Sequence, residues 1–145
     1  MGAWTVRRVG LIGCVKKKGR ESTQARNLYQ SALFVGRVRF VERSCDAWWV
    51  LSALHGLLAP DQDVAPYDLT LSGMSAEERY QWSVMVLAAI DRHAGLEVGD
   101  VVEVHAGALY RDSGLVDGLL ARGLRVEVPT RGLGIGEQLR FYKGS

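Results

Sequence analysis

Five segments of the chain combine residue types that can do chemistry. In Leu51-Ser52-Ala53-Leu54-His55-Gly56-Leu57 a hydroxyl and an imidazole stand three residues apart, so both can face one cleft from a strand end. No Gly-x-Ser-x-Gly elbow surrounds Ser52, which weighs against a serine hydrolase of that type. Ser52 can equally cap a turn, and His55 can be a packed, hydrogen-bonded ring. In Pro66-Tyr67-Asp68 a rigid turn presents an aromatic face beside a carboxylate, which suits stacking on a flat base and accepting its N–H groups. An Asp bonded to its own turn is the plainer alternative.

Cys14-Val15-Lys16-Lys17-Lys18 offers an anion cradle of ammonium groups and turn N–H groups, against the plain reading of a solvated lysine loop. A desolvated lysine there can also act as a nucleophile or acid/base. Cys14 reads as a buried strand thiol whose neighbouring cations keep a reactive role open. His105-Ala106-Gly107, with Tyr110-Arg111 close behind, opens a helix whose N-terminus and Arg111 can meet a phosphate. The fifth segment, Gly132-Leu133-Gly134-Ile135-Gly136, lies far from the first strand and lacks dinucleotide-fingerprint spacing. Cys14 and Cys45 lack metal-ligand spacing with the histidines, so neither a metal nor a cofactor is expected.

Alternating elements must position these groups. Val6 to Cys14 is apolar and β-branched and reads as a first strand. Ser22 or Thr23 caps a helix over Ala25 to Arg43, with Leu28, Ala32, Val35 and Arg39 on one stripe and Tyr29, Leu33 and Phe40 beside it. Asp46 to Ala53 is a short apolar run, expected as a strand buried on both faces. A loop with Pro60 and Pro66 follows. Ser75 with Glu78 forms a capping box for a helix closed by Gly95, whose buried face is Trp82, Met85, Val86, Ala89 and Ile90. Asp100 to Ala106 reads as a strand, Gly107 to Arg122 as a helix and Leu124 to Val128 as a fourth strand. A last short helix starts at Glu137. This order predicts a single α/β domain over residues 1–145, with a central, mostly parallel sheet of at least four strands. Ligands of such folds gather outside the carboxyl ends of the strands, where the polar segments fall.

Composition limits the classes. At 145 residues, 48% hydrophobic and 23% charged, the chain is globular rather than disordered. No apolar run approaches the roughly 20 residues that cross a bilayer, so no membrane partner is expected. With two Cys and no signal-peptide pattern, the cytoplasm is the expected compartment. The net charge of +2 conceals +8 over residues 1–45, −8 over 46–110 and +2 over 111–145. Such asymmetry fits either halves that attract one another or a local phosphate or nucleic-acid site near Lys16 to Arg20.

Four motifs together carry a family likeness. They are Cys14-x-x-Lys17-Lys18, then Leu28-Tyr29-x-Ser31-x-Leu33-Phe34, then Leu51-Ser52-Ala53-x-His55-Gly56-Leu57, and finally Pro66-Tyr67-Asp68. The chain resembles a small bacterial and phage domain family of unknown function. More remotely it is similar to the YaaA-type peroxide-stress proteins, and faintly to the lysine-transferring domain of archaeosine synthase. That resemblance covers nearly the whole chain and implies a nucleobase-directed role, without assigning a catalytic residue.

The expectation is therefore an enzyme acting on a nucleobase, nucleoside or nucleotide, with N-glycosidic cleavage or base exchange as the reaction. Lys18, His55 and Asp68 are the catalytic candidates. Asp68 would stabilise positive charge on the sugar or act as base, Lys18 would hold phosphate or attack, and His55 would be the acid/base. Tyr67 or Tyr29 would stack on the base. Cys14, Lys17, Ser31, Ser52, His105, Gly107 and Arg111 complete the expected lining. The alternatives are a DNA-binding module of a base-damage or stress response, and a structural partner whose charge asymmetry joins subunits as a homo-oligomer.

Overall fold

The computed structural model describes residues 5–13, 22–28 and 31–144. In chain order these form β1 (Arg8–Gly13), β2 (Thr23–Gln24), α1 (Ala25–Leu28), α2 (Ala32–Ser44), β3 (Ala47–Ser52), β4 (Gly56–Leu58) and β5 (Asp63–Val64). A 3-10 turn at Leu71–Gly73 leads into α3 (Ala76–His93), followed by β6 (Val101–His105) and α4 (Ala108–Tyr110). A π-helical segment, Arg111–Leu115, joins α4 to α5 (Val116–Ala121), and β7 (Arg125–Glu127) and α6 (Ile135–Lys143) complete the fold.

The main sheet has five strands in the order β4-β3-β1-β6-β7. β1 runs parallel to both β3 and β6, β6 is parallel to β7, and only β4 is antiparallel to its neighbour β3. The chain is thus an α/β protein with a mostly parallel sheet, as its alternation predicts. Alternate residues of β1 feed opposite layers. Leu11 joins Trp82, Val86, Ile90, Leu115 and Leu119 under α3 and α5, whereas Ile12 joins Phe34, Val41, Val50 and Leu58 under α2.

Several expected elements are corrected. The helix expected over Ala25 to Arg43 is two pieces, because Ser31 adopts an extended backbone and caps a new helix, its Oγ accepting from Phe34 N at 3.1 Å. The face also changes: Phe34, Arg37 and Val41 point inward, while Val35 and Arg39 are exposed. Gly36 explains part of this, since a Cβ there would stand 2.8 Å from Tyr142 Cβ, so α6 lies directly against it. Met85, expected inside, is 44% exposed. After β3 the chain makes a tight turn at Gly56, whose φ of 76° favours glycine, and returns as β4 where only a loop was expected. The Ser75–Glu78 capping box forms as read, with Glu78 N donating to Ser75 Oγ at 3.1 Å and Ser75 N to Glu78 Oε1 at 2.9 Å. No described helix is long and apolar enough to cross a membrane.

Candidate functional site

β1 passes its chain to β3 on one side, while β6 passes its chain to β7 on the other. The order reverses between β1 and β6, and crevices at such points collect ligands in parallel sheets. Backbones converge there, because a Cβ on Gly13 would lie 2.7 Å from Ala106 Cβ. Cys14, Lys17, Lys18 and Tyr29 lie outside the described residues.

One strand away, at the carboxyl end of β3, the structure brings together three residues expected to share a site. Ser52, wholly buried, donates from Oγ to Tyr67 Oη at 2.7 Å and accepts from His55 N at 3.1 Å. The His55 ring is exposed and meets Tyr67 edge-on, with centroids 5.4 Å apart and planes at 88°. Trp82 Nε1 donates to the Ser52 carbonyl at 2.8 Å from the opposite layer, fixing the turn from below. Ser52 therefore does two jobs at once: it caps the turn that carries His55, and it orients the phenol.

Tyr67 is positioned by more than Ser52. The β2–β5 pair is antiparallel, and Ala25 N and Arg26 N donate to Gln62 O and Pro60 O at 2.8 and 2.9 Å. These bonds tie the segment before Tyr67 to α1, and the half-buried Tyr67 packs against the α2-side core. Asp68 follows directly and is exposed. A half-buried aromatic, an exposed imidazole and an exposed carboxylate thus sit on adjoining loops at one sheet edge. Such a set can stack on a planar ring, move a proton and hold positive charge.

Other expected residues are placed differently. His105, expected to line the cleft, is fully buried within the layer covered by α2 and α6. Its Nδ1 lies 2.7 Å from Tyr142 Oη and its Nε2 2.9 Å from Glu103 Oε1. A carboxylate only accepts, so Nε2–H donates to Glu103, and in the neutral ring Nδ1 accepts the Tyr142 hydroxyl. The reason for the correction is strand period: His105 pairs with Ile12 and shares its inward face. Ser31 is occupied as the cap of α2. Gly107 is exposed at the start of α4, and Arg111 turns back to donate Nε to Ala106 O at 3.0 Å.

The buried network around Glu103 was not read from the sequence. Burial alone would raise the Glu103 carboxyl, but hydrogen bonds from His105 and Arg8 hold it below the usual range. Arg8 Nη1 reaches both Glu103 Oε2 at 2.8 Å and Glu127 Oε1 at 2.7 Å, chiefly through which its own pKa is raised. Burial raises the Tyr142 phenol, a bond with Thr130 opposing it. The available signal was Glu103 and His105 two apart in an otherwise apolar strand, which places both on one face. Among the described residues, no group of three or more His, Cys, Asp and Glu converges as a metal site.

Comparison with known proteins gives a family but no activity. The model of DUF6884, a family of unknown function, matches residues 9–144, and the chain belongs to that family. No curated protein and no solved structure matches the chain.

Proposed function

We propose that this DUF6884 member acts on a nucleobase-bearing small molecule, as an enzyme that cleaves or exchanges an N-glycosidic bond. One observation carries the reading: Ser52 ties the Tyr67 phenol to the turn bearing His55, beside exposed Asp68. Packing alone has no need of an aromatic, an imidazole and a carboxylate on neighbouring loops at a ligand-collecting edge. In this reading Tyr67 stacks on the base, His55 exchanges a proton with the leaving base, and Asp68 stabilises the cationic sugar. Lys18, five residues past the end of β1 in sequence, holds a phosphate or attacks the sugar. The remote likeness to YaaA-type proteins supports the same substrate class.

The test is incubation of the chain with a panel of nucleosides and nucleotides, followed by chromatography for free base. Release that is lost in Asp68→Asn and in His55→Ala supports the reading. No release from any member of the panel, or release untouched by both substitutions, refutes it.

A further inference from the structure

The loops that carry His55 and Asp68 have a second side. Ser52 turns its hydroxyl to Tyr67 in the α2 layer, and Ala53 beside it turns to the α3 layer, as strand period requires. There Ala53, Met74, Trp82 and Met85 wall an open cavity of about 390 Å³, within the range that small ligands occupy. Each wall adjoins the proposed site. Trp82 is the residue whose Nε1 holds the Ser52 carbonyl, and Met74 ends the segment that runs on from Tyr67 and Asp68. Met85 lies over Gly56, the residue after His55: a Cβ there would stand 2.9 Å from Met85 Cε.

The floor of the cavity is apolar. It is made of an indole, a methyl group and two thioethers, and thioether side chains adapt to irregular aliphatic or aromatic groups. Leu54, 46% exposed, stands between Ala53 and His55 in the turn, so an apolar side chain bridges the cavity and the imidazole. The rim is acidic. Glu77 and Glu78 are both exposed there, Glu77 accepting from Gln81 Nε2 at 3.1 Å and Glu78 closing the capping box. Arg79 donates to the Met74 carbonyl, and no lysine or arginine occurs from residue 45 to residue 78. The two carboxylates are thus in excess, and the cavity repels phosphates and carboxylates while accepting neutral apolar groups.

Resting on the base-directed reading of the adjoining site, we propose that the base this chain acts on carries a neutral alkyl or arylalkyl arm, and that this cavity holds the arm. The ring and sugar meet Tyr67, His55 and Asp68. The arm crosses Leu54 and lies between Met74 and Met85 against Trp82. An unmodified nucleoside fills only part of the site, so the arm selects the substrate.

The test is titration of the full chain, with its methionine methyls labelled for NMR, against N6-hexyladenosine, N2-hexylguanosine and N4-hexylcytidine, each beside its parent nucleoside. For at least one base the hexyl form is expected to bind about tenfold tighter or more, the gain from burying an aliphatic group. It should shift the Met74 and Met85 methyls, whereas its parent shifts only the His55 and Tyr67 amides. A carboxylate in place of the terminal methyl cancels the gain. In Met74→Ala with Met85→Ala the ratio of the two affinities falls towards one; a merely loosened fold weakens both ligands and leaves that ratio unmoved. A parent nucleoside that binds at His55 and Tyr67 with no gain from the arm overturns this inference and leaves the proposed function standing. Hexyl forms that touch the methionines alone overturn both, as does the absence of binding by any of these ligands. Methionine shifts that follow protein concentration without ligand assign the cavity to a second copy of the chain and overturn the inference.

Discussion

The Ser52 hydroxyl donates to the Tyr67 hydroxyl at 2.7 Å across a sequence separation of 15, linking the end of a central strand to the loop that carries Asp68. Because the same Ser52 oxygen accepts from His55 N at 3.1 Å, one buried atom sets two loops. Their mutual position therefore depends on this hydroxyl together with the backbone bonds that tie the segment before Tyr67 to α1.

Removing that hydroxyl takes the acceptor from His55 N and the Ser52 donor from Tyr67 Oη. Ser52→Ala is expected to cost about 1–3 kcal/mol, the penalty for unpaired buried polar groups, whereas Tyr67→Phe keeps the His55–Ser52 bond and costs less, about 1 kcal/mol. The double variant should show coupling of about 0.5 kcal/mol or more, measured by urea unfolding in a double-mutant cycle. Strict additivity would mean that the bond does not form.

Asp68 is exposed and its loss should leave folding alone. Asp68→Asn is expected to shift stability by no more than about 0.5 kcal/mol while lowering base release on the order of 100-fold. Thermal melts and rate measurements on one preparation separate the two effects. An unfolded Asp68→Asn would make the residue architectural instead.

The Glu103 network sets an acid limit on stability. Its carboxyl is held below the ordinary value of about 4.3, so folding gains a contribution that is complete above that value. The gain is lost as pH falls through the lower, folded value, because the unfolded chain takes up the proton first. Glu103→Gln should cost about 3 kcal/mol near neutrality, since it leaves His105 and Arg8 without their carboxylate, and the gap to the parent should narrow below pH about 4. Denaturation curves across that range check it; a constant gap would show that charge is not the cause.

Cys45 should be inert. Burial pushes its thiol up to about 12, only partly opposed by the neighbouring Ser44 hydroxyl, so at neutral pH almost no thiolate forms. In a Cys14→Ser background, a thiol reagent should label the folded chain far more slowly than the unfolded one. Equal rates would contradict the burial.

The sheet was legible because Leu11, Val50, Val102 and their neighbours lie in short apolar runs separated by helical patterns, and those runs became β1, β3 and β6. Likewise Ser75 and Glu78 announced the start of α3, since a capping box is local chemistry. What failed was long-range. The inward face of α2 depends in part on α6 lying against Gly36, more than 100 residues away in sequence, which periodicity within one helix cannot report. His105 looked like a loop-edge histidine because its partner Tyr142 lies 37 residues on. Conversely, Ser52, His55 and Tyr67 lie against one another, and their proximity was legible because each follows a strand end or a proline-fixed loop. The Lys17 and Lys18 half of the expected site falls outside the described residues.

The central claim is that bases bind where Ser52, His55, Tyr67 and Asp68 meet. Amide NMR during titration with nucleosides and nucleotides tests it most directly. The account predicts that the largest shifts fall on His55, Tyr67 and Asp68, with the Ser52→Ala variant giving weaker binding at the same residues. Shifts confined to other surfaces, or none with any ligand, would contradict it.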